Sequence, residues 1–267
     1  MKKKLPVLLI FLIFLCVHAD RKSDVVVKVD DGHINWTEQT ITVTGSGVPD
    51  LNINNANSAR LFCEKVALKN ARYRLIKILE KISLDGKVTV SEFISKRKDM
   101  TFEVPGSRSE PVEKVDKRSY SDGAVDLKLK YSIKDALHEV CNRYRTELQK
   151  NFVSTKIVRN LPVDEKVLFP MLVIEVKKKQ FAPVLFPRVV DNGGTLIYGP
   201  EKLTTKESCA DPLSYVNEYG KDLALYIKAE KINKNNEIVI SQIDELKVKA
   251  QLKDNVLEKG NVLIVLK

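Results

Sequence analysis

The apolar and polar positions of this chain change period several times, and each change marks an element. From Thr40 to Thr44 the alternation TITVT, rich in β-branched residues, predicts a strand with one buried face. Gly45-Ser46-Gly47 and Pro49 then predict a turn, and Asn52, Asn54 and Asn55 are candidate helix N-caps. Beyond them Ala56, Ala59, Cys63, Ala67, Ala71, Leu75, Leu79 and Ile82 recur at steps of three or four, lining one face of a long helix that ends near Leu84. The first half of that face is mostly alanine. Small side chains let the helix axis lie close to a sheet that includes the preceding strand.

Before this unit, Val25 to Val29 forms a short apolar run stopped by Asp30-Asp31-Gly32, and Ile34 to Trp36 follows. After it, Lys87 to Ile94 reads as a strand through Val88, Val90 and Phe93. Ser95 to Asp122 is charged and serine-rich with Pro105, Gly106 and Pro111, which predicts an exposed loop or long hairpin arm with local strand at Thr101 to Val104. Val125, Leu127, Leu129 and Tyr131 alternate with polar residues as a half-buried strand, and Ser132 with Asp135 opens a helix carrying Ile133, Ala136, Leu137, Val140, Cys141, Tyr144, Leu148 and Phe152. The outline is strand, strand, helix, strand, strand, helix. It implies an α+β fold with helices packed on an antiparallel sheet.

Asn160 to Lys166, with Pro162, reads as a connector to a second, mixed α/β region. There Val167 to Val176 predicts a buried strand, and Asp191-Asn192-Gly193-Gly194 predicts the turn of a hairpin. Ala224 to Ile232 suits a strand or part of a helix. Ile238 to Ile240 reads as a strand, Ser241 to Leu252 as a short helix and Val262 to Leu266 as a final buried strand. The domain reading is a signal peptide at 1–19, an N-terminal α+β domain at 20–159 with its polar excursion at 95–122, and a C-terminal α+β domain at 160–267.

The signal peptide rests on Lys2, Lys3 and Lys4, the apolar run Leu5 to Val17, and Val17-His18-Ala19 as a small-residue cleavage site. A membrane-spanning helix needs about 20 apolar residues, more than this run supplies. Cys16 raises lipid attachment, but Leu15 stands where acylation calls for a small residue. Cleavage after Ala19 lowers the formal charge from +10 to +7, because the segment carries three lysines and no acid. That mild excess is compatible with anionic lipid or polysaccharide, yet lysines mixed with acids describe an ordinary solvated surface. Nucleic-acid binding is not expected, since no reader motif accompanies the charge.

Candidate chemistry is sparse. Gly45-Ser46-Gly47 before a helix could cradle phosphate, but it lacks a third glycine at the dinucleotide spacing and a following lysine. His138 and Cys141 lie three apart on one helix, without an identifiable third group to orient them. Arg188, beside Pro187, is the candidate anion or partner contact, with an internal ion pair to Asp191 or Glu175 as the plainer reading. Cys63, Cys141 and Cys209 are too widely spaced for a metal site and read as buried thiols or one disulfide plus a thiol. No catalytic residue, cofactor or metal ligand set is expected.

ITVTGSGVPD with the helix through Ala59, Ala67, Ala71 and Leu75 resembles the amino-terminal part of the LPP-twenty lipoprotein-like family, whose relatives include the amino-terminal domain of flagellar assembly protein T. LVIEVKKKQFAPVLFPRVVDNGGTLIYG resembles a second block of longer members through Pro183, Leu185, Pro187, Arg188, Asp191, Gly194, Tyr198 and Gly199. The tail from Asn235 is similar to the family's closing strand, helix and strand. The resemblance implies a non-enzymatic bacterial envelope protein, in the periplasm, outer-membrane associated or secreted, with an envelope or flagellar protein as partner. It transfers no catalytic residue. The alternative class is a secreted hydrolase or anion-binding enzyme acting around Arg188 or Cys141.

Overall fold

A computed structural model gives the architecture and describes residues 24–50, 52–97, 111, 113–150, 168–203, 215–216 and 224–267. The signal-peptide reading, Cys16, the strand expected at Thr101 to Val104, the connector at 160–166 and Cys209 lie outside those residues.

The fold is mixed α+β. Its first part is a five-stranded antiparallel sheet of β1 (Val26–Val29), β2 (Gly32–Asn35), β3 (Thr40–Gly47), β4 (Glu113–Ser119) and β5 (Val125–Ser132), in the order β1-β2-β3-β5-β4. Helix α1 (Ala56–Lys81) covers one face. Asn55 caps it as its side chain accepts from the Ser58 amide at 3.0 Å. Cys63, Ala67, Ala71 and Leu75 are fully buried against the sheet, so the alanine-stepped stripe does set a close helix-on-sheet contact. The stripe also overshoots the sheet: Ala56 is exposed and Cys63 is the first buried residue of the helix.

Two sequence expectations are corrected in this unit. Gly45-Ser46-Gly47 is the end of β3, paired with Leu127, Asp126 and Val125 of β5, and makes no turn. Both glycines face α1, where any side chain would strike helix backbone. The segment expected as a strand at Lys87 to Ile94 instead gives a short helix, α2 (Val90–Ser95). Thr89 accepts from the Glu92 amide at 3.2 Å while the Glu92 carboxylate accepts from the Thr89 amide at 2.8 Å. This capping box overrides the β-branched residues around it, and only Thr89 keeps a bridge, to Ser83.

Helix α3 (Ile133–Lys150) follows β5 directly, with the Ser132 hydroxyl accepting from the Asp135 amide. The second part holds a four-stranded sheet in the order β10-β6-β13-β9, built from β6 (Leu172–Val176), β9 (Tyr215–Val216), β10 (Leu225–Lys228) and β13 (Val262–Leu266), all paired parallel. β13 is buried along its whole length, as a central parallel strand with both faces covered must be. A smaller sheet in the order β11-β12-β7-β8 joins β7 (Val189–Val190), β8 (Leu196–Tyr198), β11 (Lys231–Ile232) and β12 (Ile238–Val239). β7 and β8 are the hairpin expected around Asp191 to Gly194. Helix α4 (Gln242–Gln251), capped by Ser241, leads back to β13.

One apolar cluster runs through both parts, from Ile41, Ala67 and Leu129 to Ile174, Tyr198 and Ile264. Trp36 meets Tyr215 edge-on at 5.7 Å, Phe93 meets Tyr144 edge-on at 5.2 Å, and Tyr144 lies tilted against Phe186 at 5.5 Å. Backbone bonds also cross, with the Leu185 amide on the Ser83 carbonyl and the Phe186 amide on that of Leu84.

Candidate functional site

Arg188 precedes β7, and the fold surrounds it with groups from four other segments. Its Nη1 donates to Glu201, in a short 3-10 turn at Pro200–Lys202, and its Nε stands 3.2 Å from Glu237 Oε1. The predicted partners are therefore corrected. Asp191 turns back to accept from the Thr195 amide at 2.7 Å, and Glu175 accepts from Tyr226 and Lys267 on the far side of β6. Lys87 reaches the same Glu237 oxygen at 3.2 Å, while Asn233 Nδ2 donates to the other at 2.8 Å. Burial alone would raise the Glu237 carboxyl, but the Asn233 and Lys87 hydrogen bonds with the Lys87 and Arg188 charges hold it below the usual range.

Asp85 and Tyr144 extend the cluster. Asp85 is buried and accepts from the amides of Lys87 at 2.9 Å and Val88 at 3.2 Å. Burial pushes the Tyr144 phenol up, and the neighbouring Asp85 charge and hydrogen bond add to it. Arg188 and Glu201 side chains are 18% and 7% exposed, so this is an enclosed ion-pair network between the two parts of the chain. Its residue types suit a lock between elements: Arg188 answers Glu201 and Glu237, Lys87 also answers Glu237, and Asp85 is met by backbone amides. The sequence singled out Arg188 alone. Asp85-Gly86 reads in the sequence only as a helix stop and Lys87 only as the start of a strand, while Glu201 and Glu237 stand out by no motif, so the fold alone brings these residues to Arg188.

His138 and Cys141 do not converge. His138 is exposed with its Nε2 2.8 Å from Asn142 Nδ2, whereas Cys141 points into the core. Cys63 and Cys141 are both buried and no disulfide joins them. Among the described residues no group of three His, Cys, Asp or Glu side chains could hold a metal ion.

Open surface chemistry gathers on the first sheet. Opposite α1, alternate residues of its strands present Thr42 and Thr44 of β3, Asp126 and Lys128 of β5, His33 of β2, and Asp116 and Arg118 of β4, which line a cleft of about 230 Å³. Among the described residues no helix covers this face. Asp126 is held below the usual carboxylate range by hydrogen bonds to Ser46 and Tyr120, so it is charged at neutral pH. Arg118 Nε donates to Asp116 at 3.0 Å. The face thus alternates fixed donors and acceptors of both signs, a surface fitted to polar contacts in register with a partner. A second cleft of about 410 Å³ lies between Asp30 and Asp31 in the β1–β2 turn and Asn70, Tyr73, Arg74 and Lys77 on α1.

The architecture defines a mixed α+β protein in which an antiparallel sheet, backed by a helix on one face and left without a helix on the other among the described residues, is locked onto a parallel-sheet region. That second region is similar to a known family: residues 171–267 match the family described as Treponema pallidum Tp0624, second domain. Among curated proteins none matches the chain.

Proposed function

We propose that this chain is an exported bacterial envelope protein, related to the LPP-twenty lipoprotein-like family, that binds a protein partner in a surface or flagellum-associated assembly and catalyses no reaction. The observation that carries this reading is the face of the five-stranded sheet opposite α1, which no helix covers among the described residues and where the Arg118–Asp116 and Tyr120–Asp126 hydrogen bonds hold charged groups around a cleft. Such a face offers contact area and register to a partner. The basic, apolar and small-residue pattern of residues 1–19 supports export, and the closed Arg188 network supports a structural role for the one residue the sequence marked for anion contact.

Fractionation of native cells combined with in-cell crosslinking tests it. The expected result is an envelope-associated pool with a discrete crosslinked partner, reduced by Thr44→Lys with Lys128→Glu on the open face. Recovery as a single uncrosslinked soluble pool would overturn the proposal.

A further inference from the structure

The outward face of α1 is a second surface, independent of the sheet face. Helix α1 carries Arg60, Lys65, Lys69, Arg72, Arg74, Lys77 and Lys81 against Glu64 and Glu80, an excess of five positive charges on one element. The whole chain has an excess of ten. Half of that excess therefore sits on this one helix, where Arg60, Arg74 and Lys81 are paired with Glu64, Asp31 and Asp30.

Position on the helix decides where that charge points. With Cys63, Ala67, Ala71 and Leu75 packed on the sheet, the opposite side presents Phe62, Lys65, Lys69, Tyr73 and Lys77. Phe62 is 37% and Tyr73 60% exposed, and Leu61 at 60% flanks them. Lys65 and Lys69 are exposed and make no ion pair among the described residues. Lys77 is bound to Glu80 and also sits 5.6 Å from the Tyr73 ring centre. Aromatic and aliphatic groups spaced among lysines on one helix side can enter the headgroup region while the ammonium groups meet lipid phosphates.

We infer that the outer face of α1, centred on Phe62, Lys65, Lys69 and Tyr73, docks onto an anionic lipid bilayer. Charge complementarity selects the anionic surface. The exposed aromatic groups favour a bilayer over a nucleic acid, because they gain from apolar burial as well as from charge. The inference takes its biological setting from the envelope reading, but its test is made on vesicles and stands or falls separately.

The full chain contains one tryptophan, Trp36, which is 4% exposed, so Tyr73→Trp places a reporting indole on the proposed face. Phosphatidylcholine vesicles containing phosphatidylglycerol should shift its emission to the blue, and brominated lipid should quench it. Adding Lys65→Gln and Lys69→Gln should weaken vesicle binding on the order of tenfold at low salt, since each lysine near an anionic surface contributes appreciably. Phe62→Ser should weaken it at unchanged charge. The apolar run at Leu5 to Val17 is common to all variants and cannot create a difference between them. An unshifted indole at 73, or equal vesicle binding by the lysine variant, would overturn the inference. A shift with duplex DNA and none with vesicles would overturn it in favour of a nucleic acid.

Discussion

Gly45 lies directly beneath Ala67: a Cβ built on the glycine would stand 2.0 Å from the Ala67 carbonyl oxygen and 2.4 Å from the Ala71 amide nitrogen. Gly47 stands in the same relation to Cys63, whose carbonyl oxygen would be 2.0 Å away. The sheet and helix backbones are in contact here because glycine faces alanine. Neither glycine has a positive φ, so the requirement is one of space and not of backbone conformation.

Gly45→Ala should therefore destabilise the protein by about 3 kcal/mol, at the upper end for an overpacked core, because the obstructing atoms are backbone and cannot rotate away. Urea unfolding should show a lower midpoint. Ala56→Leu, on the same helical stripe but beyond the sheet, should change stability by less than about 0.5 kcal/mol. Equal effects at the two positions would contradict the packing argument.

The helix-on-sheet contact was legible in the sequence because its periodicity and its small residues point the same way. What the sequence misplaced was the role of Gly45-Ser46-Gly47, since glycine pairs mark a turn as readily as a close approach, and only the partner backbone distinguishes them. The 87–94 segment was misread for a related reason. Val88 and Val90 favour a strand, but the Thr89–Glu92 capping box fixes the backbone of the first helical turn and prevails over propensity. For the candidate site the residue type was legible and the partners were not. Charge proximity in sequence points Arg188 to Asp191 or Glu175, whereas tertiary folding brings Glu201 and Glu237 to it instead.

Glu175 and Glu237 make stability depend on acid. Lys267 and Tyr226 hydrogen bonds hold the Glu175 carboxyl below its ordinary value, and Glu237 is also depressed, its burial outweighed by Asn233, Lys87 and Arg188. A carboxyl depressed on folding contributes stability that is fully present above its unfolded value, about 4.3, and is lost as pH falls through the folded value. Urea midpoints measured from pH 7 to pH 3 should fall below that unfolded value. Glu237→Gln should be less stable than wild type at pH 7, with the gap narrowing toward pH 3; a gap independent of pH would sink the linkage.

Replacing Arg188 tests the closed network. Arg188→Met leaves the Glu201 and Glu237 side chains, 7% and 10% exposed, without their guanidinium partner. The expected loss is about 3 kcal/mol, within the range for breaking one side of a buried pair. Arg188→Met combined with Glu201→Gln should cost less than the two single changes added together, because the second removes the charge that the first strands. Strict additivity in this double-mutant cycle would show that the two side chains do not act as a pair. Phosphate at millimolar concentration should leave the wild-type midpoint unchanged beyond its ionic-strength effect, since the guanidinium is already engaged.

Tyr215 ties the first sheet's approach to the parallel sheet, and its hydroxyl is the part most open to a clean test. It donates to the Val184 carbonyl at 2.8 Å and accepts from the Val184 amide at 3.2 Å, while its backbone carbonyl accepts from the Thr37 hydroxyl at 2.5 Å. Its ring packs between Trp36 and Phe181. Tyr215→Phe keeps the ring and strips both bonds from a buried backbone unit, which should cost about 2 kcal/mol, nearer the cost of an unsatisfied buried group than that of one exchanged hydrogen bond. Tyr215→Leu should cost more and should shift the fluorescence of Trp36, the chain's one tryptophan, as its edge-on neighbour is lost. The phenylalanine variant should leave that emission nearly unchanged, because the ring remains in place. A large emission shift in Tyr215→Phe would mean that the hydroxyl, and not the packed ring, holds Trp36 in position.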